Sequence, residues 1–190
     1  MANLIFVANM SLDGYTEDED GKFDWTDPNE ESFRFITNLL RAMSTHLYGR
    51  RMYEAMAVWE TDPKLAAQSP QMRDFAEVWQ APNKIVYSRT LETISTRKTQ
   101  LERTFDPEAI RQLKAAGEHD ILIGGPELTA YAFRAGLIDE CHLFLIPILV
   151  GGGKSALPDN LRLKLELLEE RNFGNSTVYL RYRIRQGKTT

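Results

Sequence analysis

The chain has 190 residues, 43% hydrophobic and 26% charged, a size and balance that fit one compact globular domain with a sizeable core and exclude a disordered or fibrous chain. Its 27 acidic and 23 basic residues leave a formal net charge of -4, which excludes a nucleic-acid binder that relies on bulk charge and obliges any anionic ligand to find a local basic patch. The lone cysteine, Cys141, excludes an intrachain disulfide and a Cys-rich metal site, and the short apolar start lacks a basic flank and soon meets Asp13, so neither a signal peptide nor a membrane span is expected and the cytoplasm is the simplest address.

Residues 3–10 are a mostly apolar run suited to a buried strand, closed by a turn at Asp13-Gly14. Residues 15–26 are acidic and contain glycine, a loop long enough to close over a site. Asp27-Pro28 reads as an N-cap with proline at the first helical position, and Phe33, Ile36, Leu39, Leu40 and Met43 repeat at helical spacing as far as Ser44. A short strand over 45–49 leads into a short helix over 50–58; residues 63–70 read as a polar loop, 71–79 as a helix and 84–88 as a strand. Asp106-Pro107 starts another helix by the same cap logic, Gly117 suits its stop, and 119–123 is a strand. Pro126 opens a helix that Gly136 ends, 140–148 is a strand, and 163–169 with 176–185 form an antiparallel pair turning near Gly174-Asn175. Strands alternating with helices predict an α/β fold: a mainly parallel central sheet covered on both faces, with an antiparallel C-terminal hairpin at one edge. No repeat or linker divides residues 1–190, which read as one domain with a core of about 4–185.

Several chemistries find no support. Gly151-Gly152-Gly153-Lys154-Ser155 suggests a phosphate loop, but that motif needs a glycine where Ile148 stands. His46, His119 and His142 lack metal-ligand spacing, so no metal is expected, and no Gly-x-Ser-x-Gly stretch offers a hydrolytic nucleophile. What remains are glycines at strand-to-helix junctions: Gly49 ahead of Arg50-Arg51, and Gly124-Gly125 ahead of Pro126. Such junctions lie at the carboxyl edge of a parallel sheet, where glycine lets a backbone approach a phosphate and the next helix offers unpaired N–H groups.

Taken together, Ser11-Leu12-Asp13-Gly14, Gly49-Arg50-Arg51, the run from Lys84 to Leu91, Ile121 to Pro126 with Leu128, and Pro147 ahead of Gly151-Gly152-Gly153 resemble the dihydrofolate-reductase-like superfamily. The resemblance is strongest to the branch of the reductase domain of the bacterial bifunctional riboflavin deaminase-reductase, and spans about residues 4–182. It implies the three-layer fold of that superfamily and NADPH as cofactor. Gly49, Gly124 and Gly125 match the positions that line the pyrophosphate, where the glycine pair is often joined by a cis peptide, and Arg51, Glu127 and Leu128 are further cofactor-binding candidates. Arg50 with Ser88 and Arg89 would hold the 2'-phosphate, for which the planar arginine fork suits a doubly charged group. Met52 stands where the family usually has a threonine.

On the substrate side the resemblance implies that Ser11, Asp13 and Gly14 pass between nicotinamide and substrate and that Trp25 flanks the substrate, with Asp13, Asp24 and Glu31 the candidate catalytic carboxylates. The family carboxylate position itself falls near Phe33. Ala81-Pro82-Asn83 lacks the arginine with which dihydrofolate reductase holds the folate tail, and residues 28–32 lack the Arg- and His-containing segment of the riboflavin-pathway enzyme. The expected activity is NADPH-dependent reduction of a small pyrimidine or pterin-like heterocycle. Dihydrofolate reductase proper and a non-catalytic nucleotide-binding module are the alternatives. Residues 176–182 read as an aromatic, β-branched strand at or near a sheet edge, and with the resemblance they imply a homodimer.

Overall fold

The computed structural model describes residues 1–185. Strand β1 (Leu4–Ser11) lies inside an eight-stranded sheet, with parallel neighbours β6 (Ile121–Gly124) on one side and β7 (Glu140–Ile146) on the other. Beyond β6 follow β3 (Thr45–Gly49), β4 (Asn83–Tyr87) and β5 (Thr99–Glu102), all parallel. Beyond β7 come β10 (Val178–Arg185) and, outermost, β9 (Lys164–Asn172), both in antiparallel pairings. The antiparallel pair thus closes one edge as the sequence predicts, but the 176–185 segment is one strand in and β9 is the edge.

Both faces of the central strands are covered, which is why β1 and β6 read as near-continuous apolar runs. On one face α6 (Pro107–Ala116) and α7 (Pro126–Arg134) bring Ile110, Leu128, Ala132 and Phe133 onto Leu4, Phe6, Leu47, Ile121 and Ile123. On the other, α1 (Glu30–Arg41), α2 (Arg50–Met56) and α5 (Pro70–Gln80) bring Leu40, Tyr53, Phe75, Val78 and Trp79 onto Ile5, Tyr48, Val86 and Leu122. Among the described residues no helix is long and apolar enough to cross a membrane.

Several local expectations are corrected. Asp27 does not cap α1: Asn29 Oδ1 accepts from the Ser32 amide at 2.9 Å and from the Ser32 hydroxyl at 2.8 Å, so the helix begins at Glu30. Asp24–Thr26 forms a separate 3-10 turn. The helix expected over 50–58 stops at Met56 and is followed by α3 (Val58–Thr61), and residues 63–70 are not plain loop: α4 (Pro63–Ala66) makes about one turn, capped by Asp62, which accepts from the Lys64 amide at 3.0 Å. Within the acidic loop, β2 (Tyr15–Glu17) pairs with the two-residue β8 (Lys154–Ser155).

Candidate functional site

The carboxyl ends of β1, β3, β4 and β6 share one edge of the sheet, so Ser11, Gly49, Ser88 and Gly124 come out on the same side. At the centre of this edge Gly125 caps α7 with φ 95° and ψ 120°, a conformation that residues carrying a β-carbon adopt only with strain. A β-carbon there would stand 3.7 Å from Gly49 N and 3.4 Å from Met52 Cβ. The backbones of Gly49 and Gly125 therefore approach each other closely, with Met52 Cβ beside them, next to the free N–H groups at the start of a nine-residue helix. This cradle suits a phosphate oxygen. Gly124 has a different reason to be glycine, since a β-carbon would press on the Tyr48 ring at 3.2 Å. The Leu128 side chain is buried in the core, so only its backbone is available to a ligand. All peptide bonds of the described residues are trans, including the one joining the glycine pair.

Around the cradle stand the cations. Arg50 donates from Nε to Glu54 at 2.8 Å and from Nη1 to the Thr90 hydroxyl at 2.9 Å, which sets its guanidinium over the turn after β4. That turn is fixed by Ser88, whose hydroxyl accepts from the amides of Thr90 and Leu91 at 3.2 and 2.9 Å. Arg103, just past the end of β5, braces it, donating to the carbonyls of Ser88 and Leu91 at 3.1 and 2.7 Å. Arg89 is exposed and has no side-chain partner among the described residues. Arg103 was not singled out in the sequence: it follows Thr-Gln-Leu-Glu, whose lone apolar residue gives almost no strand signal. Arg51 binds Glu17, and Lys154 binds Glu127. Glu127 is thereby held below the usual carboxylate range, by its bond to Lys154 first and by Arg51 as well.

On the substrate side the candidate carboxylates are tied to different segments. Asp13 accepts from the amides of Val150 and Gly151 at 3.2 and 2.8 Å, and hydrogen bonding with Ser11 and with these amides keeps its carboxyl below the ordinary range. Ser11 is itself buried, its hydroxyl accepting from the Tyr15 amide at 2.9 Å while its carbonyl accepts from Gly14 N at 3.0 Å. Glu31 pairs with Arg171 at 2.8 Å beside the β9–β10 turn, and the arginine lowers its carboxyl pKa too. Carboxylates held charged in this way are poor proton donors. Asp24, exposed in the 3-10 turn, has no side-chain partner among the described residues. Next to it, Trp25 Nε1 is buried without a hydrogen-bond partner among the described residues, a donor waiting for an acceptor. No group of three or more His, Cys, Asp or Glu among the described residues is placed to hold a metal ion.

The parallel strand ends, the glycine-faced helix start and the antiparallel tail define the dihydrofolate-reductase-like α/β fold. Residues 2–179 match the model of the RibD C-terminal domain, and the chain belongs to that family. It is 28% identical over 186 residues to the uncharacterized protein YyaP of Bacillus subtilis (strain 168), covering 94% of this chain and 93% of that one. The crystal structure of a putative riboflavin biosynthesis protein from Shewanella sp. PV-4 superposes with a TM-score of 0.76 at 24% identity, over 98% of this chain and 100% of the other. RibD of Acinetobacter baumannii gives 0.69 at 15% identity, over 97% of this chain and 58% of that one. Dihydrofolate reductase of Enterococcus faecalis, complexed with NADP(H), gives 0.65 at 14% identity and 97% of each chain. At such identities the structural likeness carries the fold.

Proposed function

We propose that the protein is an NADPH-dependent reductase of a small pyrimidine or pterin-like heterocycle, akin to 5-amino-6-(5-phosphoribosylamino)uracil reductase. The carrying observation is the close backbone approach of Gly49 and Gly125 at the start of α7, with Arg50, Arg51 and Lys154 in the surrounding segments. Membership of the RibD C-terminal domain family and the NADP(H) bound by the Enterococcus neighbour support this reading. The cofactor, when bound, supplies the hydride. The chain's part is to bind, orient and exclude water. Gly49, Gly125 and the backbone start of α7 receive the pyrophosphate, while Arg50, Arg89 and Thr90 surround the 2'-phosphate on a turn braced by Ser88 and Arg103. Ser11 and Gly14 shape the wall between the reacting rings, and Asp13 ties that wall to the 150–151 turn. Trp25 offers its indole N–H to a substrate oxygen, and Asp24 is the carboxylate left to handle a proton.

The reading is tested by titrating the protein with NADPH and NADH, followed by a screen of pyrimidine and pterin substrates for loss of NADPH absorbance. Preference for NADPH with turnover of a heterocycle is expected; tight NADPH binding with no turnover across the screen favours the non-catalytic module. The arginine missing at Ala81-Pro82-Asn83 predicts that dihydrofolate is a poor substrate. Replacing Arg50 with alanine should weaken NADPH by about 1.5 to 3 kcal/mol, the scale of hydrogen bonds to a charged group, and NADH far less. Equal losses for both nucleotides would remove Arg50 from the 2'-phosphate.

The protein is further proposed to form a symmetric homodimer through the outer hairpin. Leu165 and Leu167 on edge strand β9 are 44% and 47% exposed, beside half-buried Val178, Leu180 and Tyr182 on β10. Such an apolar strip on an edge strand is normally covered. Light scattering at micromolar concentration should give twice the chain mass of 21.8 kDa. A mass equal to one chain, unchanged by NADPH, would leave the strip without its proposed partner.

A further inference from the structure

Four charges of alternating sign meet at the start of α7. Arg51 donates from Nη1 and Nη2 to Glu17 Oε1 and Oε2 at 3.0 and 3.2 Å, and Lys154 Nζ bonds to Glu127 Oε1. Arg51 and Lys154 are thus neutralised by carboxylates of the chain itself, and the formal charges of the quartet cancel. In the Arg51–Glu17 pair the carboxylate is the more enclosed partner: the Glu17 side chain is 16% exposed and that of Arg51 66%. Both line an open groove of about 1090 Å3, together with Glu19, Glu127 and Lys154.

Close fit holds Glu17 in place. The strap that carries it pairs with β8 and rests on the glycine turn ahead of β8. A β-carbon on Gly152 would come within 2.6 Å of Glu19 Oε1, and one on Gly153 would collide with Glu17 O. The run Gly151-Gly152-Gly153, which looks like part of a phosphate loop, is therefore the seat of an acidic strap.

We propose that Glu17 is an internal anion that occupies the Arg51 fork in the free protein and yields it to a phosphate oxygen of the dinucleotide on binding, so that residue 17 sets cofactor affinity. The inference rests on the nicotinamide reading above. Carboxylate and phosphate oxygens compete for the same in-plane donors of one guanidinium, and Arg51 cannot engage both bidentately through Nη1 and Nη2. Release is within reach of the structure, because β2 has three residues, one partner strand and a register shift between Tyr15 and Glu17.

Glu17→Gln keeps the shape of the side chain and removes its charge. NADPH affinity of the wild type and E17Q, measured at low and high salt with thermal unfolding as the check on folding, decides the matter. E17Q should bind NADPH roughly three- to tenfold more tightly at low salt, the scale of one competing charge pair, with the advantage shrinking as salt screens it. Glu17→Asp, whose shorter side chain loosens the pair, should move affinity the same way by a smaller factor and keeps the test open if E17Q does not fold. A wild type that binds NADPH beside variants that bind equally or more weakly overturns the exchange and makes Glu17 a support for Arg51. Failure of wild type and folded variants alike to bind NADPH defeats the nicotinamide reading, and the exchange falls with it.

Discussion

Gly125→Val is expected to abolish NADPH binding, with a loss beyond about 3 kcal/mol, more than a hundredfold in affinity. Two effects add. At φ 95° a β-branched residue is a backbone outlier that costs roughly 1 to 3 kcal/mol of stability, so the melting temperature should fall as well. Independently, the new carbons would crowd the space between Gly49 N and Met52 Cβ, where the two backbones come close. Gly125→Ala separates the two: it carries the conformational strain but adds a single carbon, and should retain more affinity than valine. Fluorescence titration of folded protein gives the answer, and a folded valine variant with wild-type affinity would remove the pyrophosphate from this cradle.

The junction glycines were legible because they punctuate apolar runs: Ile121-Leu122-Ile123 can only be a short buried strand, and Gly-Gly-Pro can only be a turn into a helix. The layers of the fold followed from the same alternation. What stayed hidden depends on partners distant in sequence. Thr99–Glu102 is a strand because β4 pairs with it, not because of its own pattern, and β8 exists only as the partner of β2. The N-cap shifted from Asp27 to Asn29 because two residues of similar capping ability lie two positions apart, and spacing does not choose between them. The carboxylates show the limit most clearly. Asp13 bonds to amides 137 and 138 positions away and Glu31 to an arginine 140 positions away, so that they are already engaged was invisible in the sequence. Asp24, flanked by residues of the same turn, has no such distant partner among those described.

The arginines of β10 lead to the second large effect. Arg181 and Arg183 face Glu140 at 2.8 and 3.8 Å, and the Glu140 side chain is 5% exposed. Glu140 also accepts from His142 Nε2 at 3.3 Å, and His142 Nδ1 meets the Tyr179 hydroxyl at 2.8 Å. A neutral histidine satisfies both contacts when Nε2 carries the proton and Nδ1 accepts from the tyrosine. Burial by itself would raise the Glu140 carboxyl; the Arg181 guanidinium, with help from His142, outweighs it and holds the pKa below the ordinary value. Burial likewise lowers His142. Both groups are therefore depressed in the fold, so their contribution is complete at neutral pH and above. It is lost as pH falls, first below the ordinary histidine value of about 6.5 and then through the glutamate range near 4.3. Glu140→Gln should cost about 1.5 to 3 kcal/mol at pH 7, short of the loss for a fully buried pair because the Arg181 side chain is 37% exposed and can rehydrate. The difference between variant and wild type should narrow as pH drops past the glutamate range, since the wild type then carries a protonated Glu140 too. Urea unfolding from pH 7 down to about pH 2.5, past the lowered Glu140 pKa, measures it; a difference that stays constant over that whole span would mean that the charge of Glu140 contributes nothing and that its shape alone matters.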